Sequence, residues 1–312
     1  MTDAMGVCAA LIAAGIQAGT ALLLAALGEL VLERAGVLNL GIEGIMLVGA
    51  LAAFAASHAG VNPGLAVACA GGAGLCMGLL HGSVTVLLGA NQVVAGLALL
   101  MLGTGISGFF GQRLIGQTAP GLDSLPVPLL ADIPLAGRAF FRHDPLTYAG
   151  VLLVPSIAFI LMRTTWGLAL RAVGENPEAA DAHGISVVKV RMLASAFAGI
   201  LAGIGGAHLS LAYNQMWIER MVAGRGWIAL AVVIFSCWRP YRALFGAYLF
   251  GLVGAATFRF QALGSPVSAP LLQTLPYLTT IAVLVLVAWR SRRHTMDAPA
   301  ALTVPFRREE RR

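Results

Sequence analysis

The sequence predicts an all-α integral membrane protein, a polytopic bundle of about nine transmembrane helices within a range of roughly eight to ten. Of the 312 residues, 58% are hydrophobic and only 11% are charged, whereas charged residues make up about a quarter of a soluble domain. Residues 44–112 contain no Lys, Arg, Asp or Glu, a length sufficient for about three crossings. A soluble domain of this size needs a charged outer surface, so that class is excluded.

Apolar runs of roughly membrane-spanning length recur along the chain. They lie at 6–27, 42–57, 64–88, 91–110, 146–162, 192–213, 225–238, 242–258 and 270–289. Small residues recur inside them, as in GGAGLCMG and AGILAGIGGA. Because small residues let membrane helices approach closely, these runs predict a bundle of tightly packed helices.

Basic residues predict the orientation of the predicted transmembrane domain, residues 1–289. Seven arginines lie in residues 290–312, which we interpret as a basic cytoplasmic tail under the positive-inside rule. With the C-terminal tail inside and the predicted spans counted backwards from it, loop 163–191 lies inside and the Pro- and Gly-rich loop 111–145 lies outside. The outer loop is either ordered, with a short hairpin, or a linker between two halves. Nine spans place the N-terminus outside, whereas an extra half-crossing at 28–41 places it inside.

Two inverted-repeat halves are the predicted internal architecture. The segments ERAGVLNLGIEG and ERMVAGRGWIALAVV each open with Glu-Arg, at Glu33–Arg34 and Glu219–Arg220, and run through interrupted, polar sequence into an apolar span. Paired interruptions of this kind are typical of a transport site at a repeat interface. Because the similarity between the two segments is weak, the alternative is that it arose by chance.

Loop 163–191 contains a short segment with clear start and stop signals. Asn176 is a favourable N-cap, Pro177 suits the first helical position, and Gly184 suits a left-handed helix end. The pattern predicts a helix of about two turns over EAADAH. An isolated helix this short is marginal in water, which favours docking onto another surface. An ordinary interfacial turn is the alternative.

This loop resembles the EAA loop of ABC importer permeases, with Glu178, Ala179 and Ala180 followed three residues later by Gly184. LRAVGENPEAADAHGISVVKVR is similar to its form in ribose, nucleoside and branched-chain amino acid permeases. ERAGVLNLGIEGIMLVGA is most similar to nucleoside and purine permeases that work with a lipoprotein binding protein. The likeness covers residues 28–288. The chain departs from it at Ser236 and Cys237, where the family usually has a glycine and a lysine or arginine.

The resemblance implies that the loop forms a coupling helix seated in a cleft of a separate ATPase subunit. It assigns to this contact Arg171, Gly174, Glu175, Asn176, Pro177, Glu178, Ala179, Ala180, Gly184, Ile185 and Lys189. The chain itself contains no GxxxxGK[ST] motif, so ATP and Mg²⁺ would be bound by the partner ATPase. The other implied partners are a second permease, identical or different, an extracytoplasmic substrate-binding lipoprotein and membrane lipid. The implied location is the bacterial inner membrane.

The polar stretch GELVLERAGVLNLGIEGIML, residues 28–47, is predicted to be a broken or re-entrant element that lines the passage. Irregular backbone at membrane depth is tolerated only where it is buried in protein or faces water. We expect Asn39 to hydrogen-bond a solute, and Glu43 to do likewise or to pair with Arg34 or Arg225. The alternative is a loop at the cytoplasmic edge whose charges meet water.

Four more residues complete the predicted passage, each with a structural alternative. Asn91 and Gln92 open a span, where helix capping is the competing role. Arg225 guards the passage or snorkels to the surface. Trp227 stacks on a base or anchors the protein at the interface.

The predicted function is the permease subunit of an ATP-driven importer, for nucleosides or purines, with simple sugars and then branched-chain amino acids as alternatives. The competing class is an ion-coupled secondary carrier, which normally buries a carboxylate in mid-membrane. Here nearly every acid lies at a span edge or in a loop, with Glu43 as the main exception. A transport subunit without catalytic residues is expected. Scattered cysteines and histidines predict no metal site, and the +6 charge does not indicate nucleic acid.

Overall fold

The structure, a computed structural model, describes residues 2–264, 267–272, 274–291 and 298–306. The remainder of the predicted basic tail, 292–297 and 307–312, lies outside the described residues. The helices are α1 (Thr2–Arg34), α2 (Ile42–His58), α3 (Pro63–Gly82), α4 (Gln92–Gly111), α5 (Ala136–Phe140), α6 (Pro145–Arg163), α7 (Thr165–Glu175), α8 (Pro177–Ala182), α9 (Val187–His208), α10 (Arg225–Phe235), α11 (Pro240–Ala262), α12 (Ala269–Leu272) and α13 (Leu275–Ser291). Short turns extend three of them: the π-helical turns Ser83–Leu87 and Leu209–Tyr213 follow α3 and α9, and the 3-10 turn Gln112–Leu114 follows α4.

The helices confirm an all-α, multi-pass membrane protein. In the described part of the chain, six are long and apolar enough to cross a bilayer: α1, α3, α4, α6, α9 and α11, with the turns that extend them. The other three predicted spans coincide with shorter helices, α2 and α13 of 17 residues and α10 of 11. At 1.5 Å per residue α10 is about 16 Å long, roughly half the hydrocarbon thickness. Nine spans and an inverted repeat therefore stay predictions.

Helix α1 connects the two ends of the bundle. Its 33 residues extend about 50 Å. Near its start Met5 and Ala9 share a surface groove with Leu135 and Phe140 of the segment between α4 and α6. At its end the Arg34 carbonyl contacts α7. The segments 111–145 and 163–191 therefore lie at opposite ends of the molecule.

The segment 111–145 is ordered and contains a short antiparallel pair of strands. Strand β1 (Leu125–Pro126) pairs with β2 (Arg142–His143). Asp144 then caps α6 by accepting hydrogen bonds from the Leu146 and Thr147 N–H groups at 3.0 and 3.1 Å. The two strands are joined by residues 127–141, which include α5, so the pair is not a tight hairpin.

A buried polar cluster holds α6 against its neighbours. The Asp144 carboxylate also accepts a hydrogen bond from the Thr147 hydroxyl at 2.7 Å and contacts His208 Nε2 of α9 at 3.3 Å. The Thr147 hydroxyl lies 3.1 Å from that of Thr20 on α1. These polar groups partner one another, as buried polar groups generally do, although His208 Nδ1 has no hydrogen-bond partner among the described residues.

Glycines bring the central helix backbones into direct contact. A Cβ added at Gly74 of α3 would collide with the Gly199 carbonyl of α9, and one at Gly199 would collide with the Gly74 carbonyl. One turn on, Gly78 meets the backbone at Ser195 in the same way. This arrangement is the small-residue packing that the sequence predicted for membrane helices.

Replacing Gly74 with alanine is expected to destabilise the protein, because overpacking a close contact typically costs about 1–3 kcal/mol. The matched control is Gly72→Ala on the same helix, where an added Cβ meets no atom within 4 Å. Thermal unfolding in detergent is the measurement. We expect a lower midpoint for Gly74→Ala, while Gly72→Ala is unchanged or slightly raised by its better helix propensity. Equal midpoints for the two variants would show that the α3–α9 contact has room for a methyl group.

Candidate functional site

The predicted capped helix is present as α8. The Asn176 side-chain oxygen accepts a hydrogen bond from the Ala179 N–H at 2.9 Å, and Pro177 occupies the first helical position. Gly184 ends the helix with φ of +83°, a conformation that suits glycine. The Ile185 N–H then donates to the Ala180 carbonyl at 3.0 Å. Start and stop signals in the sequence therefore correspond to real caps.

Helix α8 has one inward and one outward face. Ala180 is only 3% exposed and packs in the hydrophobic core, with Ile185 partly buried beside it. Glu178, Ala179 and His183 are exposed. The three small residues assigned to a partner contact therefore divide: Ala179 and Gly184 lie at the surface, whereas Ala180 attaches α8 to its own chain.

Helix α7 anchors α8 to the end of α1. Gly174 packs directly on the Arg34 carbonyl, where a Cβ would collide. The Gly174 carbonyl accepts a hydrogen bond from the Ala301 N–H at 2.9 Å. Arg191 at the start of α9 donates through Nε to the Ala35 carbonyl at 3.1 Å and through Nη1 to the Val304 carbonyl at 3.2 Å. The described tail segment 298–306 therefore lies against the same end of the bundle as α7 and α8.

The remaining residues assigned to the ATPase contact surround these anchors. Arg171 is half-buried on α7, Glu175 is exposed at its end, and Lys189 is exposed in the first turn of α9. The Glu175 carboxylate lies 3.4 Å from the Ala300 N–H. Together with α8 these side chains form one continuous end surface.

The polar stretch 28–47 is interrupted only at residues 35–41, because 28–34 continue α1 and 42–47 begin α2. The Asn39 N–H donates to Glu29 Oε1 at 2.9 Å, which folds the interruption back beside the last turns of α1. The Asn39 side-chain oxygen accepts a hydrogen bond from the Gly41 N–H at 2.8 Å. Asn39 is 2% exposed, so its amide stabilises the backbone of a broken element.

Two predicted passage residues at the start of α4 also bind backbone. The Asn91 side chain accepts hydrogen bonds from the Val93 and Val94 N–H groups at 3.0 and 3.1 Å, the capping role considered as its alternative. The buried Gln92 accepts a hydrogen bond from the Leu38 N–H at 2.8 Å. Gln92 therefore ties α4 to the interruption.

Glu43 joins the first turn of α2 to the start of α10. Its Oε1 accepts a hydrogen bond from the Gly224 N–H at 2.9 Å. Gly226 packs against Glu43 so closely that a Cβ would meet the glutamate backbone. Carboxylates are favourable at helix N-termini, which explains this position. The two glycine-interrupted segments that echo each other in sequence thus meet in space.

Arg225 lies at the edge of this junction. Its Nη1 donates to the Met221 and Val222 carbonyls at 3.0 and 3.3 Å, and its guanidinium lies 5.4 Å from the Tyr213 ring centroid. This distance is within the range of a cation–π interaction. Trp227 is 41% exposed on the outer face of α10.

A cavity of about 300 Å³ adjoins Arg225, and sequence reasoning missed most of its lining. Residues that offer aromatic faces or a hydroxyl include Tyr213, Phe250, Thr257, Phe258 and Tyr277. Tyr213 lies in the turn that follows α9, and the other four lie on α11 and α13, more than 35 residues further along the chain. Aromatic residues near span ends were the available signal, but interfacial anchoring accounts for them equally well.

A second missed feature is the turn between α10 and α11. Trp238 Nε1 donates to Glu33 Oε2 at 2.6 Å, and Arg34 contacts the Trp238 carbonyl at 3.5 Å. Cys237 and Trp238 both have positive φ, at 52° and 54°. Ser236, one of the two positions where the chain departs from the resemblance, has φ of −69° and donates its hydroxyl to the Val233 carbonyl at 2.7 Å. The departure at Ser236 is therefore accommodated.

Known transport proteins resemble this chain over most of its length. A model of the family described as the permease component of branched-chain amino acid transport systems matches residues 11–288. A Haloferax volcanii protein provisionally named a glucose ABC transporter permease, TsgC13, is 43% identical over 98% of this chain and 99% of its own. No solved structure matches the chain significantly.

Two relatives carry names that refer to nucleosides. The guanosine ABC transporter permease NupQ of Bacillus subtilis is 33% identical over 91% of this chain and 92% of its own. The nucleoside ABC transporter permease NupC of Lactococcus lactis subsp. cremoris is 34% identical over 86% and 88%. Matches of this extent show that the chain belongs to the family of branched-chain amino acid transport system permease components, the membrane subunits of ABC transporters.

Proposed function

We propose that the chain forms the translocation pathway for nucleosides or purines in an ATP-driven importer. The cavity beside Arg225 is the observation that carries the substrate class. Tyr213 and Tyr277 offer aromatic faces together with hydroxyls, which suits a neutral solute that combines a flat base with a hydroxylated sugar. We further propose that Glu43 and Trp227 flank the route, while Asn39 and Gln92 fix the interruption at 35–41 and Asn91 caps α4 nearby.

A simple sugar is the second candidate. It is favoured by the 43% identity to TsgC13 over nearly the whole chain, a nearer match than the nucleoside permeases at 33–34%. A hexose shares the hydroxyl groups of a nucleoside but lacks its base. The two candidates therefore differ in their dependence on aromatic stacking.

Energy enters through α8, which we propose docks in a cleft of a partner ATPase that binds ATP and Mg²⁺. The exposed face of α8 supports this proposal, because Glu178, Ala179 and His183 project from a short, firmly capped helix at the end of the bundle. The residues around it, Arg171, Gly174, Glu175 and Lys189, complete the contact or brace it.

The remaining partners follow from the type of transporter. A second permease, identical or different, completes the membrane unit, and an extracytoplasmic lipoprotein delivers the solute at the end formed by 111–145. Segment 163–191 and the C-terminal tail then face the cytoplasm of a bacterial cell. Packing of 298–306 against α7 and α9 supports placing both on the same side.

Replacing Ala179 with tryptophan should abolish coupling while sparing membrane insertion, because the new side chain projects from the surface that docks the ATPase. We expect ATPase capture by the detergent-purified permease to weaken about fivefold or more, the size of a significant interface residue. Ala68→Trp, at an exposed position on α3, is the control for added bulk. Ala180→Trp should instead lower the unfolding temperature, because Ala180 is buried. Normal capture and transport by Ala179→Trp would remove α8 from the interface.

Uptake by the reconstituted complex distinguishes the substrates. Labelled guanosine, adenosine, glucose, ribose and leucine are offered in turn, and saturable, ATP-dependent uptake of the nucleosides is expected. Leucine or glucose uptake without nucleoside uptake would contradict the proposed substrate.

Tyr277→Ala tests the aromatic contact within that assay. Loss of one aromatic pair, roughly 0.5–1.5 kcal/mol, should raise the nucleoside concentration for half-maximal uptake about two- to tenfold. Tyr277→Phe keeps the ring and is the matched control. An unchanged value for Tyr277→Ala would place the solute elsewhere.

A further inference from the structure

Helices α6 and α11 form a seam on the outer surface of the bundle. Met162 on α6 lies with Tyr241 on α11 in one cavity, and Leu152 lies with Leu249 in another. The two helices are therefore antiparallel neighbours. Phe159 and Phe245 are 62% and 73% exposed beside the seam. An apolar surface on a membrane-spanning helix pair is suited to contact with the acyl chains of lipid.

At the end of the seam nearest α7 lies a basic cavity of about 410 Å³. Three arginines line it, Arg34 from α1, Arg171 from α7 and Arg239 before α11, whereas Glu175 is the one acidic residue of its described lining. Ala158 and Met162 of α6 form an apolar side. The cavity therefore combines positive charge with direct continuity to the lipid-facing surface.

Arg171 is the residue of this cavity with a buried, unpartnered polar atom in the described part of the chain. Its Nε is buried and has no hydrogen-bond partner among the described residues. A buried guanidinium N–H without an acceptor costs free energy, which an anion in the cavity would recover. Guanidinium groups match the geometry of phosphate oxygens especially well.

The seam continues away from the arginines as an apolar groove of about 900 Å³. On α6 the lining passes from Met162 and Ala158 in the basic cavity to Pro155 and Val151 in the groove. These positions recur at helical spacing of three or four residues and so share one face. From Met162 to Val151 the face extends about 16 Å, close to half of the hydrocarbon thickness of roughly 30 Å.

The opposite wall shows the same succession. On α11 the lining passes from Tyr241 in the basic cavity to Leu244, Tyr248 and Leu252 in the groove. A charged head pocket and an acyl-length groove thus follow one another along a single pair of helices. The groove is also lined by Ile16 of α1 and, at its far end, by Phe140 and His143 of the segment 111–145. A free anion has no apolar part that would fill it.

We propose that this seam binds an anionic phospholipid from the leaflet on the α8 side, with its phosphate among the arginines and its acyl chains along the groove. Basic pockets between membrane helices are suited to such headgroups. Because Arg171 belongs to α7, which leads directly into α8, the bound lipid would also hold the coupling helix in position. Lipid binding at this seam requires neither the identity of the solute nor that of the ATPase.

Native mass spectrometry of the purified full chain tests lipid binding without transport or ATPase. Detergent solutions contain equal amounts of phosphatidylglycerol and phosphatidylcholine, and the fraction of each that stays bound is measured. We expect the wild-type chain to retain phosphatidylglycerol preferentially. Arg171→Gln combined with Arg239→Gln should reduce that retention about tenfold or more, the effect expected for losing hydrogen bonds to a charged group.

Two matched controls distinguish the loss of specific lipid contacts from a general effect of removing charge or adding bulk. Arg242→Gln removes an exposed charge three residues after Arg239, outside the cavity lining, and should retain phosphatidylglycerol as the wild type does. Leu152→Trp fills the groove and should weaken retention, whereas Phe159→Trp, outside the lining, should not. Unfolding midpoints within the wild-type range confirm that each variant is folded.

Three results would overturn the proposal. The first is equal retention of the two lipids by the wild-type chain, or unchanged retention by the double arginine variant. The second is displacement of phosphatidylglycerol by millimolar inorganic phosphate, which would indicate a site for a soluble anion. The third is a double arginine variant that retains phosphatidylglycerol as the wild type does but no longer captures the ATPase in detergent without added lipid. That result would assign the arginines to the ATPase.

Discussion

Direct contact between helix backbones is the constraint on which this structure depends. In a bilayer the hydrophobic effect does not drive helices together, so association relies on close packing and hydrogen bonds. Gly74 and Gly199 join α3 to α9, Gly49 and Gly203 join α2 to α9, and Gly44 and Gly103 join α2 to α4. These contacts leave no volume for side chains, and they therefore fix where each helix crosses its neighbour. The interruption at 35–41 is held in register by the same framework.

The end of α1 links α7, which leads into α8, to the middle of the bundle. Its Arg34 carbonyl contacts Gly174 of α7, while Glu33 accepts a hydrogen bond from Trp238 at the α10–α11 turn. One turn earlier Glu29 accepts a hydrogen bond from the Asn39 N–H in the interruption. The last turns of α1 therefore contact α7, the α10–α11 turn and the interruption at 35–41.

Several polar residues that were predicted to line the passage hydrogen-bond the protein's own backbone. Asn39, Asn91 and Gln92 were placed in the predicted passage, with capping as the alternative for Asn91 and Gln92, and each accepts a hydrogen bond from a backbone N–H. Breaking a helix exposes such groups, and leaving them unpaired in hydrocarbon costs several kcal/mol. Tyr213, Thr257 and Tyr277 were not singled out, yet they line the cavity beside Arg225. An amide or a tyrosine has the same appearance in sequence whichever role it has.

The sequence by itself determined the class of the protein and its local signals. Charge-free apolar runs require a membrane, and Asn176, Pro177 and Gly184 delimit α8 because caps depend on a few adjacent residues. The EAA pattern and the Glu-Arg segments were sufficient to recognise the family. Tertiary structure alone decided that Ala180 faces inward, that Glu43 meets Gly224, and that α6 and α11 enclose a basic cavity above an apolar groove. These features join residues far apart in the chain, and helix periodicity specifies which face is apolar but not which helix it meets.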